Sequence, residues 1–194
     1  MFDKNATGST VRKIPKSFEK GLGDFFEGEM MQIRQRIFLA LAVLWMAVIF
    51  FYSAKPADAS TEDSLAVGLL IGDLFVPDFA EKPEKEQLAF AAMVDHPVRK
   101  TAHALEYALL GVLMTGILYS EKIKKGLKAN RLFFVIPWVL CILYAASDEF
   151  HQTFVPGRSG QFSDIGLDSA GALIGVLVCV RVLSLKWDKA QRTG

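Results

Sequence analysis

The sequence predicts an all-α membrane protein: a bundle of about four transmembrane helices, both termini cytoplasmic, with short extracytoplasmic helices after the first span. Three observations predict it. Hydrophobic residues make up 52% of the 194 residues and mean hydropathy is positive, a composition that favours a membrane protein over a soluble globule. Four long apolar runs divide the chain. Basic residues cluster on alternate sides of those runs.

The runs are IFLALAVLWMAVIFFY (Ile37 to Tyr52), ALEYALLGVLMTGILY (Ala104 to Tyr119), LFFVIPWVLCILYAA (Leu132 to Ala146) and IGLDSAGALIGVLVCVRVLSL (Ile165 to Leu185). A span needs roughly 20 residues. The first three therefore borrow flanking residues or sit in thinned lipid, while the fourth is long enough but carries Asp168 and Arg181. The expected spans are about 37–53, 102–120, 132–148 and 165–185. Buried helices of a soluble protein could give runs of similar length; the charge arrangement argues against them. Arg34 and Arg36 precede the first run, Lys122, Lys124, Lys125, Lys128 and Arg131 separate the second from the third, and Lys186, Lys189 and Arg192 follow the fourth. The 53–99 segment is instead rich in Asp and Glu, and 147–164 has one basic residue, Arg158. The positive-inside rule then gives a cytoplasmic lead (1–36), a transmembrane domain (37–185) with an extracytoplasmic insertion at about 54–98, and a cytoplasmic tail (186–194).

Within this frame, the acids of the lead offset its bases and leave no basic amphipathic face. Ala57-Asp58-Ala59 has the look of a signal-peptidase site, but the long lead argues against cleavage. In the insertion, ASTEDSLAVGLLIGDLF reads as a helix capped at Ser60 or Thr61 and ending before Pro77. KPEKEQLAFAAMVDH reads as another, with Pro83 at its first position, and Pro97 is expected to open a third helix that becomes the second span. Pro137 reads as a kink, Arg181 as a snorkelling side chain, Trp45 and Trp138 as lipid-facing or packing residues, and Trp187 as an interfacial anchor. Cys141 and Cys179 lie in apolar runs and read as small hydrophobes, with no disulfide framework. A formal net charge of +1 leaves no nucleic-acid footprint, so membrane lipids are the expected partners.

Polar groups concentrate at one rim. Lys100, His103 and Glu106 recur every three residues and Tyr107 follows His103 by four, which puts them on one face at the outer end of the second span. After the third span come Asp148, Glu149, His151 and Gln152; a helix reaching His151 would set Asp148 and His151 on one face and Glu149 and Gln152 on its neighbour. Pro156-Gly157 then makes a turn from which Arg158 and Ser159 project. Asp164 and Asp168 enter the fourth span at i and i+4, and Gly171 and Gly175 continue that stripe at a spacing that lets another helix approach closely. Ionisable groups at such depth are functional candidates by default. Arg158 can hold a carboxylate or a phosphate bidentately. If Asp148, Glu149, Asp164 and Asp168 neutralise both Arg158 and Lys100, the rim is a structural clamp; if one cation stays free, an anionic headgroup can dock.

Catalytic candidates are His103, Glu106, Asp148, Glu149, His151, Arg158, Asp164 and Asp168, with His103 or His151 as general base and Arg158 stabilising charge on a phosphoryl or acyl group. Ser147 and Ser159 lack a nucleophile signature. Ligand-binding candidates are Lys100, His103, Glu106, Tyr107, Gln152 and Arg158. No cofactor is expected and no metal, because DEFHQ is not the H-E-x-x-H zinc pattern and no two histidines share a helix face.

The K-x-x-H-x-x-E-Y segment (Lys100 to Tyr107), S-D-E-x-H-Q-x-F-V-P-G-R-S (Ser147 to Ser159) and D-x-x-x-D-x-x-G-x-x-x-G (Asp164 to Gly175), in this order and with FYSAKP (Phe51 to Pro56) closing the first span, resemble the VanZ-like family. The resemblance covers roughly 37–185 and leaves out the lead and the inserted segment at about 57–95. It implies a multi-pass protein of the bacterial plasma membrane, in a family named for a member linked to resistance to the glycopeptide teicoplanin. The resemblance supplies that phenotype and no reaction; the orientation, Arg158 and the membrane-level carboxylates point to an outward polar site engaging an anionic lipid-linked envelope precursor or a glycopeptide-related surface ligand. A membrane enzyme acting on such a precursor, and a structural or partner-binding bundle, are the alternatives.

Overall fold

The structure, a computed structural model, describes residues 16–118 and 132–193. Its elements are α1 (Lys16–Ser53), α2 (Ala57–Phe75), a single 3-10 turn (Phe79–Glu81), α3 (Glu84–Leu118), α4 (Leu132–Gln152) and α5 (Phe162–Thr193). There is no strand among the described residues. Four stretches are long and apolar enough to cross a membrane: Gly23–Ser53, Glu84–Leu118, Phe134–Gln152 and Phe162–Leu185. The large apolar side chains left exposed settle the choice against a soluble bundle. Leu39, Val43 and Leu44 on α1, Leu105 and Leu109 on α3, Val139 and Leu143 on α4, and Ile174 and Leu177 on α5 all face outward, an apolar surface that a water-soluble monomer does not carry.

The chain divides into two units between Arg34 and Gln35. In the first, residues 16–34 are helical, earlier than the expected start at residue 37. No proline lies between Pro15 and Pro56, and Lys, Glu, Gln and Met fill the segment, so nothing in it stops the helix despite its glycines. In the second unit the core gathers Ile49, Tyr107, Leu110, Cys141, Ala145 and Ala172. Helices α3 and α5 run in parallel and touch through glycine. A Cβ placed on Gly171 or Gly175 would run into the main-chain carbonyl of Ala104 or Ala108, and one on Gly111 into that of Ala172. Interhelical bonds to main-chain carbonyls pin the other helices: Trp45 Nε1 donates to Glu106 O (2.9 Å), Trp138 Nε1 to Ser169 O (2.9 Å) and Tyr144 Oη to Met46 O (2.6 Å). Both tryptophans are therefore packing residues.

Four boundaries differ from the sequence reading. Helix α2 starts at Ala57 behind Pro56 rather than at a Ser60 or Thr61 cap, because the Ala57 N–H is taken by Pro156 O (3.2 Å) and the Thr61 hydroxyl donates back to Ala57 O (2.9 Å). Pro97 opens no helix; it lies inside α3, which runs unbroken from Glu84. Pro97 and Met93, whose carbonyl loses its helical donor, are both on the exposed side, and packing on either flank holds the helix together. On one flank α2 rests Gly68 on Ala91 and bonds Ser64 to Asp95; on the other α5 lies against Ala104 and Ala108. Helix α4 reaches Gln152 and α5 begins at Phe162, so each is longer at the polar end than the expected span. Pro137 is fully buried inside α4, and Arg181 is exposed. The Lys122 to Arg131 loop lies outside the described residues, as do the side chains of Lys186, Trp187, Lys189 and Arg192.

The α3–α5 contact yields a direct test. Gly175→Ala is expected to cost more than the about 1–3 kcal/mol of ordinary overpacking, because the obstacle is backbone. Gly166→Ala meets no atom within 4 Å and should gain roughly 0.5–1 kcal/mol from helix propensity. Thermal unfolding in detergent micelles compares them; equal melting temperatures would refute the close approach.

Candidate functional site

The C-terminal ends of α1 and α4, the N-terminal end of α5 and the Lys100–Tyr107 turns of α3 meet at one end of the bundle. Between α4 and α5 the chain tightens through turns in which Thr153, Phe154 and Val155 N–H groups donate to Phe150, His151 and Gln152 carbonyls. Gly157 then takes φ +75°, a left-handed conformation open to a residue without Cβ. Arg158 N–H closes back on Val155 O (3.1 Å). This turn sends the Arg158 side chain toward α1, where Nε donates to Lys55 O (3.0 Å) and Nη1 to Gln152 Oε1 (3.3 Å).

The two cations that the sequence left open therefore have different fates. Lys100 Nζ is paired with Asp164 Oδ1 at 2.5 Å. Arg158 bonds only neutral oxygens and has no ion-pair partner among the described residues. Burial first, and then the like charge of Arg99, hold its guanidinium below the ordinary arginine value, yet a guanidinium stays charged at any physiological pH. Arg99 itself is paired with Asp95 (2.5 Å), which also accepts from Ser64. At the start of α2, Asp63 bonds Lys55 (2.5 Å) and raises its ammonium above the ordinary lysine value.

Beneath Arg158 the carboxylates are buried and partly satisfied. Asp148, 3% exposed, accepts from Ser53 Oγ at 2.7 Å and Gln152 Nε2 at 3.3 Å through Oδ2. Glu149 Oε2 accepts from the Gln161 N–H (2.8 Å) and so ties α4 to the approach to α5. Asp148 Oδ1, Asp168 Oδ1 and Tyr107 Oη are buried without a hydrogen-bond partner. His103 Nδ1 is 3.4 Å from Glu106 Oε2, an ion-pair distance that lacks hydrogen-bond geometry. Asp148 and Asp168 both lie within electrostatic reach of His103 and Tyr107.

Two clefts open above this layer. One, about 190 Å³, is lined by His96, Arg99, Lys100, His103, Gln152, Arg158, Ser159 and Asp164, among others. The other, about 200 Å³, lies among Tyr52, Lys55, Asp63, Val67, Val98, Ala102 and Glu106. Arg99, His103 and Arg158 line both. The structure thus brings Lys100, His103, Gln152, Arg158 and Asp164 to the first cleft and Glu106 to the second, with Tyr107, Asp148 and Asp168 buried below. Glu149 is a brace for the loop. His151 stands apart: its ring packs on Phe50 with centroids 4.4 Å apart and lines neither cleft, whereas His96 and His103 line the first cleft and His103 the second as well. Gln152 reaches across to Asp148, one helical turn earlier at i−4, while Glu149 bonds the Gln161 N–H. His96, Arg99, Ser53 and Lys55 were not among the sequence candidates. Arg99 had a legible signal, since it precedes Lys100 and stands four before His103 in HPVRKTAH. Among the described residues no group of three or more His, Cys, Asp or Glu is placed to hold a metal ion.

The model of the VanZ/LLP1 family matches residues 38–184, most of the chain. No curated protein and no solved structure matches it.

Ser53→Ala should cost about 1–3 kcal/mol, because it strips the shorter of the two bonds from a buried carboxylate. Ser147→Ala, at an exposed site whose hydroxyl bonds its own helix, should stay within about 0.5 kcal/mol of the parent. A melting temperature for Ser53→Ala no lower than for Ser147→Ala would contradict this account of Asp148.

Proposed function

The chain belongs to the VanZ/LLP1 family, and we propose that it acts in the bacterial plasma membrane as an anion-engaging envelope protein. Its polar end faces outward, holds an anionic lipid-linked or cell-surface group, and through that contact lowers susceptibility to glycopeptides such as teicoplanin. One observation carries the reading: Arg158, fixed by two neutral acceptors and without an ion-pair partner among the described residues, stands on the wall shared by two open clefts. A charge held half out of water without a counter-ion is costly; a site that receives its counter-ion as ligand gives that cost a use. Had Arg158 been paired like Lys100, the rim would read as a clamp. The outward orientation is supported by the clustering of Lys and Arg at 122–131 and 186–192, at the opposite ends of the spans from Arg158.

Orientation is checked with a cysteine at Ser159, which is exposed beside Arg158. Ser159→Cys in intact cells is expected to react with a membrane-impermeant maleimide, above the background of the parent chain; labelling that appears only after lysis would place the site inside. Function is checked by expressing the chain in a glycopeptide-susceptible host. The parent chain is expected to raise the inhibitory concentration of teicoplanin and Arg158→Ala to return it to the empty-vector level at equal membrane abundance. A parent indistinguishable from vector would remove the resistance part of the proposal.

A further inference from the structure

Building on the anion-site reading above, we propose that the ligand is a phosphate ester bearing an apolar chain, with the phosphate between Arg158 and Arg99 and the chain in the second cleft. The two guanidinium groups belong to different elements, the α4–α5 loop and α3, and both line both clefts. Each is anchored from outside, Arg99 by Asp95 and Arg158 by Lys55 O and Gln152, so they are held near one another despite mutual repulsion. A carboxylate offers two coplanar oxygens, a good match for one fork. A tetrahedral phosphate offers oxygens in several directions and can accept from two forks that approach from different sides. Ser159 adds a hydroxyl at the same cleft. Asp95 answers Arg99 and Asp164 answers Lys100, whereas Arg158, attracted by Asp148, Glu149 and Glu106 but in no ion pair among the described residues, keeps its guanidinium for a phosphate oxygen.

The second cleft supplies the other half of the ligand. Its surface is mainly apolar, from Tyr52, Val67, Val98 and Ala102, and Val67 leads along α2 to the exposed Leu70 and Leu74. Free phosphate would leave that surface unused, whereas an ester whose chain lies against it would bury both.

The experiment is calorimetric titration of the full chain in zwitterionic nanodiscs with n-hexyl phosphate, n-hexanoate and inorganic phosphate, against empty nanodiscs. Hexyl phosphate is expected to bind at least tenfold more tightly than either of the others, and to lose at least tenfold in Arg158→Gln and in Arg99→Gln. The Arg99 variant keeps the test open if Arg158→Gln unfolds the loop. Hexanoate binding as tightly as hexyl phosphate would overturn the phosphate assignment while leaving an anion site standing. Inorganic phosphate binding equally well would overturn the apolar half. If no anion bound the parent chain, both this inference and the reading it rests on would fall.

Discussion

The contact on which the rest of this structure depends is the approach of α3 and α5 at Gly171 and Gly175. In lipid there is no hydrophobic gain from bringing two apolar helices together, so association rests on close packing and on polar contacts between helices. Here the packing reaches the main chain: two glycines of α5, one turn apart, lie on the carbonyls of Ala104 and Ala108. Those two residues flank His103 and Tyr107. The register that seats glycine on carbonyl therefore also sets Lys100 opposite Asp164 and brings Asp168 within electrostatic reach of His103. Larger residues at 171 or 175 would push α5 outward and separate the pairs that make the polar end a site.

Around that contact the polar groups fall into two sets. The satisfied ones hold structure: Ser53 and Gln152 on Asp148 join α1 to α4, Gln161 N–H on Glu149 closes the loop, and Arg158 on Lys55 O ties the loop to the end of α1. The unsatisfied ones at this end are His103 Nδ1 and Tyr107 Oη on α3, Asp148 Oδ1 and His151 Nδ1 on α4, and Asp168 Oδ1 on α5. Buried polar atoms without partners are uncommon in folded proteins, and these gather at the end of the bundle where the two clefts open.

Much of this was legible in the sequence because it rests on periodicity. The four spans, the Lys100–Tyr107 face, the Asp164–Asp168 stripe and the glycine spacing all follow from 3.6 residues per turn and from the length of an apolar run. What was not legible depends on contacts between segments remote in sequence. Pro97 reads locally as a helix start, and only packing by α2 and α5 on its two sides keeps α3 continuous. Ser60 and Thr61 read as caps, but the Pro156 carbonyl takes the Ala57 N–H and starts α2 earlier. Arg99 was passed over because the spacing of its neighbours was more regular, although a second cleft and a second guanidinium came with it. His151 had the credentials of a base in sequence; its ring lies against Phe50 and lines neither cleft.

That Arg158 forms no ion pair among the described residues, although Asp148, Glu149 and Glu106 are within electrostatic reach, has a structural cause in Gln152. Its amide accepts from Arg158 through Oε1 and donates to Asp148 through Nε2, so it stands between the cation and the buried anion. A glutamate in its place could accept from Arg158 but not donate to Asp148, and would set a second negative charge against a carboxylate that is already almost fully buried. Arg158 would then be neutralised and Asp148 left with Ser53 alone. The amide avoids both consequences at once: it gives the guanidinium a fixed direction, keeps Asp148 bonded, and leaves the positive charge directed at the clefts rather than cancelled within the protein. The difference between a clamp and a receptive rim thus comes down to one neutral side chain between two charges.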